Sequence, residues 1–306
     1  MKRPALVNCT AAARIIATIG ICKNAGKTTV LNYLLASMHE KYCIGITSIG
    51  YDGEETDFVT LLPKPKVTVY PGMYVATSSA CLEKTDVNYD LICDTGFKTP
   101  VGSVSIVNIR SEGTIEVSGP SIASQIKKVD DLMLELGCHK IIADGAAGRL
   151  SYAAYADASI LSIGAAVSTD IEKVVLRAKH AVEMLSLKSY IKNETEDGLV
   201  FTFRGAMADK DLSAIMSEHR DVSVLKTAVV KDAAAIFINP RTYDKFRKKH
   251  GEIRVCNPIK LAALTINPMS PYGEWFDAIE FKSRIQAISS LPVFNMKEEQ
   301  EVISEK

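Results

Sequence analysis

Short apolar runs alternate with longer segments of helical periodicity along most of the chain. Most of the runs end at or near Gly, Asp or Asn-Pro, and they occupy residues 14–20, 43–50, 89–96, 140–148, 158–168, 198–205, 233–240 and 260–268. This alternation is typical of βαβ units, in which helices cover both faces of a parallel sheet. The pattern therefore predicts an α/β fold with a mostly parallel sheet flanked by helices. Ligands of such sheets bind outside the carboxyl ends of the strands.

The segments between the runs predict helices, an inserted hairpin and a single domain. Lys27 to Met38 and Ser121 to Leu136 carry apolar residues at helical spacing. Residues 101–118 contain two short β runs around a Ser-Glu-Gly turn, which predicts a β-hairpin inserted into the α/β pattern. A polar stretch at 190–197 predicts a soft internal boundary within one domain that spans 1–306. One continuous sheet is the favoured arrangement, and two closely packed lobes are the alternative.

Composition excludes several classes of protein. The chain has 306 residues, of which 47 % are hydrophobic and 24 % are charged, as in folded globular proteins. Lys plus Arg and Asp plus Glu both number 36, and no basic stripe with interleaved aromatics is present, so nucleic acid is not an expected partner. No apolar run reaches the length of about 18–20 residues that crosses a bilayer. We therefore expect a cytoplasmic protein without a membrane partner.

The stretch GICKNAGKTT, residues 20–29, carries the strongest chemical signal. Gly26-Lys27-Thr28 follows an apolar strand and opens a helix, which is the context that a P-loop requires. In such a loop the backbone N–H groups and the helix N-terminus bind phosphate oxygens, the lysine reaches the β- and γ-phosphates, and the hydroxyl ligates Mg²⁺. The fold prediction is therefore a P-loop NTPase. The predicted nucleotide-binding residues of this stretch are Lys23, Asn24, Ala25, Gly26, Lys27, Thr28 and Thr29.

Several residues near these motifs have two interpretations each. Five residues separate Gly20 from Gly26 where the common motif has four, so either the loop is one residue longer or Ile21 holds an ordinary conformation in place of a glycine. Cys22 is either a small filler residue, which is favoured, or a thiol with a lowered pKa. Arg149 is either a phosphate ligand or a structural arginine. The Asn-Pro pairs at 239–240 and 267–268 either end strands or shape the rim of a ligand site.

Three aspartates at strand ends are candidate partners of the metal. Asp144 is the first choice, because apolar residues lead to it and Gly148 follows four places later. This pattern resembles the Asp-x-x-x-Gly of P-loop ATPases related to the cell-division and arsenite-pump ATPases. Asp52 resembles the additional Asp of that class, and an Asp-Gly turn without chemistry is its alternative. Asp94 ranks second for the role of Asp144, with a structural turn as its alternative.

These motifs predict phosphoryl transfer from ATP to water, with ATP and Mg²⁺ as cofactors. Lys27, Asp52 and Asp144 are the expected catalytic residues. Thr28, Asp52 and Asp144 are the expected metal ligands, and Gly148 is expected to belong to the nucleotide site and to be free to move. The Asn-Lys-x-Asp motif of guanine-binding proteins does not occur in the sequence, so ATP is favoured over GTP.

Seven stretches together resemble the P-loop subunit of the lysine 5,6-aminomutase reactivase family, found in bacteria that ferment amino acids. They lie between about residues 15 and 275: KNAGKTT (23–29), TSIGYDGEE (47–55), YPGMYVATSS (70–79), DTGFKTPVGSVSI (94–106), ADGAAGRLSYA (143–153), ILSIGAAVS (160–168) and INPMSPYG (266–273). The resemblance carries Lys27, Thr28, Asp52 and Asp144 as nucleotide-site positions.

The resemblance implies an accessory protein that uses nucleotide binding and hydrolysis to restore an aminomutase dependent on cobalamin and pyridoxal phosphate. Its implied partners are a companion reactivase subunit and the cobalamin-dependent aminomutase itself. Two other functions remain open at this point. One is a small-molecule kinase or ATP-dependent ligase similar to dethiobiotin synthetase, and the other is a nucleotide-dependent interaction module without hydrolysis.

Overall fold

The computed structural model describes residues 5–50, 66–145, 150–192, 198–270, 273 and 275–304. The strands are β1 (Ile15–Gly20), β2 (Ile44–Ser48), β3 (Val67–Val69), β4 (Tyr74–Ser78), β5 (Tyr89–Thr99), β6 (Gly102–Ile109), β7 (Gly113–Ile115), β8 (Lys140–Asp144), β9 (Ala158–Gly164), β10 (Leu199–Thr202), β11 (Met207–Ala208), β12 (Lys226–Val230), β13 (Ile236–Phe237), β14 (Gly251–Val255), β15 (Leu261–Asn267) and β16 (Val293–Asn295). The helices are α1 (Ala5–Cys9), α2 (Lys27–Met38), α3 (Ser79–Glu83), α4 (Ala123–Glu135), α5 (Ile171–Leu185), α6 (Asp209–Glu218), α7 (Pro240–Lys248), α8 (Ala278–Gln286) and α9 (Met296–Ser304). Among the helices of these ranges, none is both long and apolar enough to cross a membrane.

A nine-stranded sheet forms the centre of the molecule, in the order β16-β15-β9-β1-β8-β2-β4-β6-β5. The seven strands from β16 to β4 are mutually parallel. Strand β6 pairs antiparallel with β4, and β5 pairs antiparallel with β6. The predicted α/β fold with a mostly parallel sheet flanked by helices is therefore confirmed.

Helices cover both faces of this sheet, and the side chains of β1 alternate between the two cores. Ile16 packs into a core with Leu31 and Leu34 of α2, on the face that α1 and α9 also cover. Ala17 and Ile19 pack into the opposite core, which contains apolar residues of α5 and α8. Because both faces are buried, the central strands are continuous apolar runs, which is the signal that the sequence carries.

The order of the strands reverses direction at β1. From β1 the chain passes through α2 to β2, on the β8 side of β1. After β8 it crosses to β9 and later to β15, on the other side of β1. In open α/β sheets ligands bind at such a switch point, outside the carboxyl ends of the strands. The loop that follows β1 lies at this position.

The expectation of one continuous sheet is wrong for residues 198–255. Strands β10, β12 and β14 form a separate parallel sheet in that order. This second sheet has its own core, which includes Met207, Phe246 and Ile253. Hydrophobic periodicity identifies these segments as strands but does not specify which strands they pair with. The apolar run at 233–240 yields only the short β13, after a 3₁₀ turn at Ala233–Ala235.

The predicted β-hairpin at 101–118 is also wrong in its pairing. Its first β run, β6, pairs with β4 and β5, whereas its second, β7, pairs antiparallel with β3. The hairpin in this region consists of β5 and β6, and it turns at residues 100–101. The run at 89–96 is thus part of an antiparallel edge strand, and its Leu91 is 66 % exposed.

A buried lysine holds the segment that leads into β1. Lys140, at the start of β8, is 5 % exposed. Its ammonium donates hydrogen bonds to the backbone carbonyls of Thr10, Ala11 and Ala13. Burial lowers the pKa of Lys140, because the charged form loses water. These bonds connect the residues before β1 to its neighbour β8.

A buried carboxyl group connects α4 to the segment that comes before β9. Asp130 is 1 % exposed, and its Oδ2 accepts a hydrogen bond from the Tyr152 hydroxyl at 2.6 Å. Its Oδ1 has no hydrogen-bond partner. Burial raises the pKa of Asp130 to about 7 and the charge of Asp131 adds to the rise, although the Tyr152 bond opposes it. The carboxyl group is therefore more acidic in the unfolded chain than in the folded protein.

Asp130→Asn is expected to remove part of the pH dependence of stability. The unfolded carboxyl group ionises near pH 4, whereas the folded one keeps its proton until about pH 7. Between these two values the wild-type free energy of unfolding should fall relative to that of the variant, by on the order of a few kcal/mol in total, and then stay level. Urea unfolding at a series of pH values from 4 to 8 measures this difference.

Glu135→Gln is the matched control, because it removes an exposed carboxylate from the same helix and leaves the charge of Asp131, which acts on Asp130, in place. Parallel stability curves for the wild type and Asp130→Asn would contradict the assignment of a raised pKa to Asp130.

Candidate functional site

The loop between β1 and α2, residues 21–26, is held against the neighbouring strand. The Ile21 N–H donates a hydrogen bond to the Ser162 carbonyl of β9 at 3.1 Å. Ile21 has an ordinary φ, while Asn24 (φ 59°) and Gly26 (φ 100°) are in the left-handed region. Of the two interpretations of Ile21, the ordinary conformation is therefore the one in the structure. Asparagine tolerates the left-handed region better than most residues, which explains why a non-glycine occurs at position 24.

Close packing at Gly20 and Gly26 sets the shape of the loop. A Cβ on Gly20 would lie 3.0 Å from Cγ of Lys27, so the Lys27 stem lies over the end of β1. A Cβ on Gly26 would lie 3.2 Å from Cβ of Asn267, at the end of β15. Of these two positions, Gly26 is the one that combines the contact with a positive φ, so it depends more strongly on glycine.

Helix α2 begins directly after this loop, so its N-terminus faces the same edge of the sheet as the loop. Gly26 is the N-cap of this 12-residue helix, and having no side chain it offers no acceptor to the first N–H groups. Lys27, Thr28 and Thr29 form the first turn and are partly buried. The free N–H groups of a helix N-terminus carry a partial positive charge and favour anions, phosphate in particular.

Asp144 lies at the same edge of the sheet and on the face that α2 covers. It ends β8, directly beside Thr18 of β1, whose hydroxyl donates to Asp144 Oδ1 at 3.3 Å. Its side chain is on the same face as that of Ile142, which packs into the α2 core. Helix α2 packs on both β1 and β8. The first turn of α2 and the Asp144 carboxylate thus lie at the same edge and on the same face of the sheet.

The competing candidate, Asp94, lies far along the sheet. It belongs to the edge strand β5, and three strands separate β5 from β8. Asp94 Oδ1 accepts a hydrogen bond from the Gly96 N–H at 2.9 Å, as in a local turn. Asp94 is therefore not part of the arrangement at the β1–α2 loop.

The remaining predicted site residues divide into two groups. Lys23, which is exposed, and Asn24, which is partly buried, lie within the loop, and Ala25 is buried beneath it. Asp52, Gly148 and Arg149 lie outside the residues that the structure describes. Their predicted roles stay predictions.

The hypothesis of a lowered pKa for Cys22 is wrong. Burial raises the pKa of this thiol, and the positive charges of Arg177 and Lys27 only partly oppose the rise. Arg177, an exposed residue of α5, nevertheless brings a second positive charge close to the loop. Sequence reasoning missed Arg177, because nothing in its local pattern indicates proximity to a loop about 150 residues earlier.

Asn267 is the other residue whose position the sequence left open. It follows Thr265 and Ile266 in β15, contacts Gly26, and its Oδ1 accepts a hydrogen bond from the Met269 N–H at 3.2 Å. Asn239, in the other Asn-Pro pair, instead caps α7 by accepting a hydrogen bond from the Thr242 N–H at 2.9 Å. Only the pair at 267–268 therefore borders the loop.

The oxygen groups at this edge suit a hard cation. Among the described residues, no group of three or more His, Cys, Asp or Glu side chains is placed to hold a metal ion. The hydroxyl of Thr28 and the carboxylate of Asp144 are oxygen donors of the kind that Mg²⁺ uses. This ion takes one or two protein ligands and completes its shell with waters and substrate phosphates. The donor set therefore fits magnesium bound together with a phosphorylated ligand.

Comparison with known proteins adds no assignment to this geometry. No protein-family model, no curated protein and no solved structure matches the chain. A functional assignment therefore depends on the β1–α2 loop, on Asp144 and on the residues around them.

Proposed function

We propose that this protein binds Mg-ATP at the β1–α2 loop and hydrolyses it. The observation that carries this proposal is the way the loop joins β1 to α2. Gly26 in a left-handed conformation opens the helix, and the Lys27 stem lies over the end of the strand. A strand, a small-residue loop and an uncapped helix N-terminus followed by Lys and Thr is the arrangement that binds a polyphosphate.

Each residue of the site has a distinct role in the proposed reaction. The N–H groups of the first turn of α2 bind phosphate oxygens, and the Lys27 ammonium binds the terminal phosphates. Thr28 and Asp144 hold Mg²⁺, which would neutralise charge on the phosphate oxygens. Asp52 and Gly148 complete the site in this proposal, Asp52 by positioning water and Gly148 by moving with the γ-phosphate.

The reaction itself is phosphoryl transfer to water. A water oxygen forms a bond to the γ-phosphorus while the bond to the bridging oxygen of ADP breaks, giving ADP and inorganic phosphate. Positioned positive charge lowers the barrier, because negative charge is spread over the γ-phosphoryl oxygens in the transition state. Lys27 and the backbone N–H groups supply that charge without needing a protein nucleophile.

We extend the proposal to the biological role that the sequence resemblance implies. The protein then acts as an accessory subunit that reactivates a cobalamin- and pyridoxal-phosphate-dependent aminomutase, together with a companion subunit. The support for this role is the set of seven matching stretches, which extend from the β1–α2 loop to the segment after β15. Two of them, 23–29 and 266–273, meet in the structure where Gly26 contacts Asn267.

Lys27→Ala is expected to weaken Mg-ATP binding by about 10- to 150-fold. A hydrogen bond to a charged group contributes roughly 1.5–3 kcal/mol, and each 1.4 kcal/mol is a factor of about ten in affinity. Calorimetric titration of both proteins with Mg-ATP measures the change. Lys128→Ala, on the exposed face of α4, controls for the loss of one positive charge. Equal affinity of Lys27→Ala and wild type would remove the phosphate-binding assignment.

Asp144→Asn is expected to lower ATP hydrolysis by about 100-fold, because it removes a metal-binding carboxylate beside the transferred phosphoryl group. Asp94→Asn is the matched control, since Asp94 lies on the far edge strand and should leave turnover unchanged. Phosphate release at increasing Mg²⁺ concentration measures both effects. The ordering of the two carboxylates is wrong if the variants hydrolyse ATP equally well or if Asp94→Asn is the slower one.

The accessory role predicts slow turnover by the protein alone and faster turnover with its partners. In this proposal, binding energy from a partner would complete the catalytic site and so raise the rate of hydrolysis. The measurement is phosphate release with and without inactivated aminomutase and the companion subunit, together with recovery of aminomutase activity. If turnover responds instead to a small metabolite that becomes phosphorylated, the protein is a small-molecule kinase and the accessory role fails.

A further inference from the structure

The backbone that follows β15 starts beside the β1–α2 loop and then pairs with itself. β15 ends at Asn267, which contacts Gly26. Beyond it, Met269 and Trp275 form an antiparallel bridge, and the Phe276 N–H donates a hydrogen bond to the Pro268 carbonyl at 3.0 Å. The two arms of a narrow turn therefore start directly at the residue that touches the loop.

This turn holds two large apolar side chains in solvent. Trp275 is 63 % exposed and Met269 is 40 % exposed. The next residue, Phe276, points the other way and packs edge-on against Phe281 of α8, with ring centroids 5.2 Å apart. Successive residues of an extended backbone point to opposite sides, so the partly buried Phe276 is consistent with the outward position of Trp275. The indole is thus presented by an anchored backbone rather than by a free loop tip.

The distances suit a ligand that extends from the loop toward this turn. Asn267 and Met269 are two residues apart and span at most about 7 Å. The bridged partner of Met269 adds about 5 Å between Cα atoms. Trp275 therefore lies within roughly one nucleoside length of the contact between Gly26 and Asn267.

The order of the strands gives the bound molecule a direction. Asp144, the proposed metal ligand, is on β8, on one side of β1. Asn267 and the turn after it extend from β15, on the other side of β1. A nucleotide whose terminal phosphates lie near Asp144 and Lys27 therefore has its base on the β15 side. Of the described residues after β15, Met269, Trp275 and Ile279 are the large exposed apolar side chains. Ile279 belongs to α8, whereas Met269 and Trp275 are the two that bridge next to the end of β15.

We infer that Trp275, supported by Met269, is a stacking platform for the base of the bound nucleotide. This inference rests on the proposed function, because it assumes that the phosphates bind at the β1–α2 loop. A flat indole stacks on any purine face, and a thioether makes favourable contacts with aromatic rings. The platform therefore holds the base and orients the nucleotide, while the loop binds the phosphates.

Trp275 is the single tryptophan of the chain, so its fluorescence reports on this platform alone. Mg-ATP is expected to quench the emission of the wild-type protein on binding. Inorganic tripolyphosphate with Mg²⁺ carries the same phosphate chain without a base, and it is expected to bind at the loop without changing the emission. Calorimetry of both ligands gives their affinities independently of the fluorescence.

Trp275→Ala is expected to weaken Mg-ATP binding by roughly 5- to 100-fold and to leave tripolyphosphate binding unchanged, since base stacking on an aromatic side chain contributes an affinity of that size. Trp275→Phe should recover part of the loss, because a smaller aromatic ring still stacks. Phe237→Ala is the matched control, because Phe237 is an equally exposed aromatic residue (64 %) on β13, a strand outside the central sheet.

The outcomes separate this inference from the proposed function. If both ligands bind to the wild type but Mg-ATP leaves the fluorescence and the Trp275→Ala affinity unchanged, the platform is wrong and the phosphate site stands. Loss of binding of both ligands in Trp275→Ala also contradicts a role confined to the base. If the wild type binds neither ligand, the proposed function fails and the platform fails with it. If Trp275→Ala alters only the stimulation by the aminomutase, Trp275 belongs to a protein contact and the inference is overturned.

Discussion

Parallel pairing of β1 with β8 on one side and β9 on the other is the constraint on which the rest of the site depends. The register places Thr18 beside Asp144, and the Ile21 N–H continues the hydrogen bonding to β9 at the end of the strand. A shift of β1 by one residue would exchange the side chains that pack into the two cores and would move Thr18 away from Asp144. The first turn of α2 and the Asp144 carboxylate are therefore held at one edge by the sheet, not by contacts within the loop.

The parts of this arrangement that the sequence predicts are those determined locally. The run at 14–20 and the Gly-Lys-Thr after it specify strand, loop and helix without reference to distant residues, and α2 begins at Lys27 as expected. The favoured order of Asp144 before Asp94 also rests on a local pattern. The pairing of the strands is not determined locally. The strands of residues 198–255 have the same apolar pattern as those of the central sheet, and no local feature specifies which strand they pair with. Arg177 meets the loop only through tertiary packing, so no local signal identifies it. The Asn-Pro pair at 267–268 is a local signal, but it does not distinguish a strand end from the rim of a ligand site, and the contact of Asn267 with Gly26 appears only in the fold.

Two positive side chains, Lys27 and Arg177, lie near the loop, although the formal net charge of the chain is zero. Lys27 and Arg177 both act on Cys22, yet burial raises the pKa of the thiol more than these charges lower it. Desolvation thus outweighs two nearby cations at this position, which keeps the thiol protonated within a loop that is proposed to attract anions. The positive potential then remains directed at a ligand instead of being cancelled by a thiolate.

The second sheet is inserted between the two elements that border the loop on its β9 and β15 side. The chain enters it from α5, which carries Arg177, and leaves it into β15, which ends at Asn267. Contacts reinforce this connection, since His180 of α5 donates from Nε2 to the Ile238 carbonyl at 2.8 Å and Met184 of α5 packs into the second core. A partner that binds the second sheet would stimulate turnover only if it bound one arrangement of α5 and β15 more tightly than another. The accessory role proposed for this protein therefore requires no contact between the partner and the nucleotide, because both elements already extend from the second sheet to the loop.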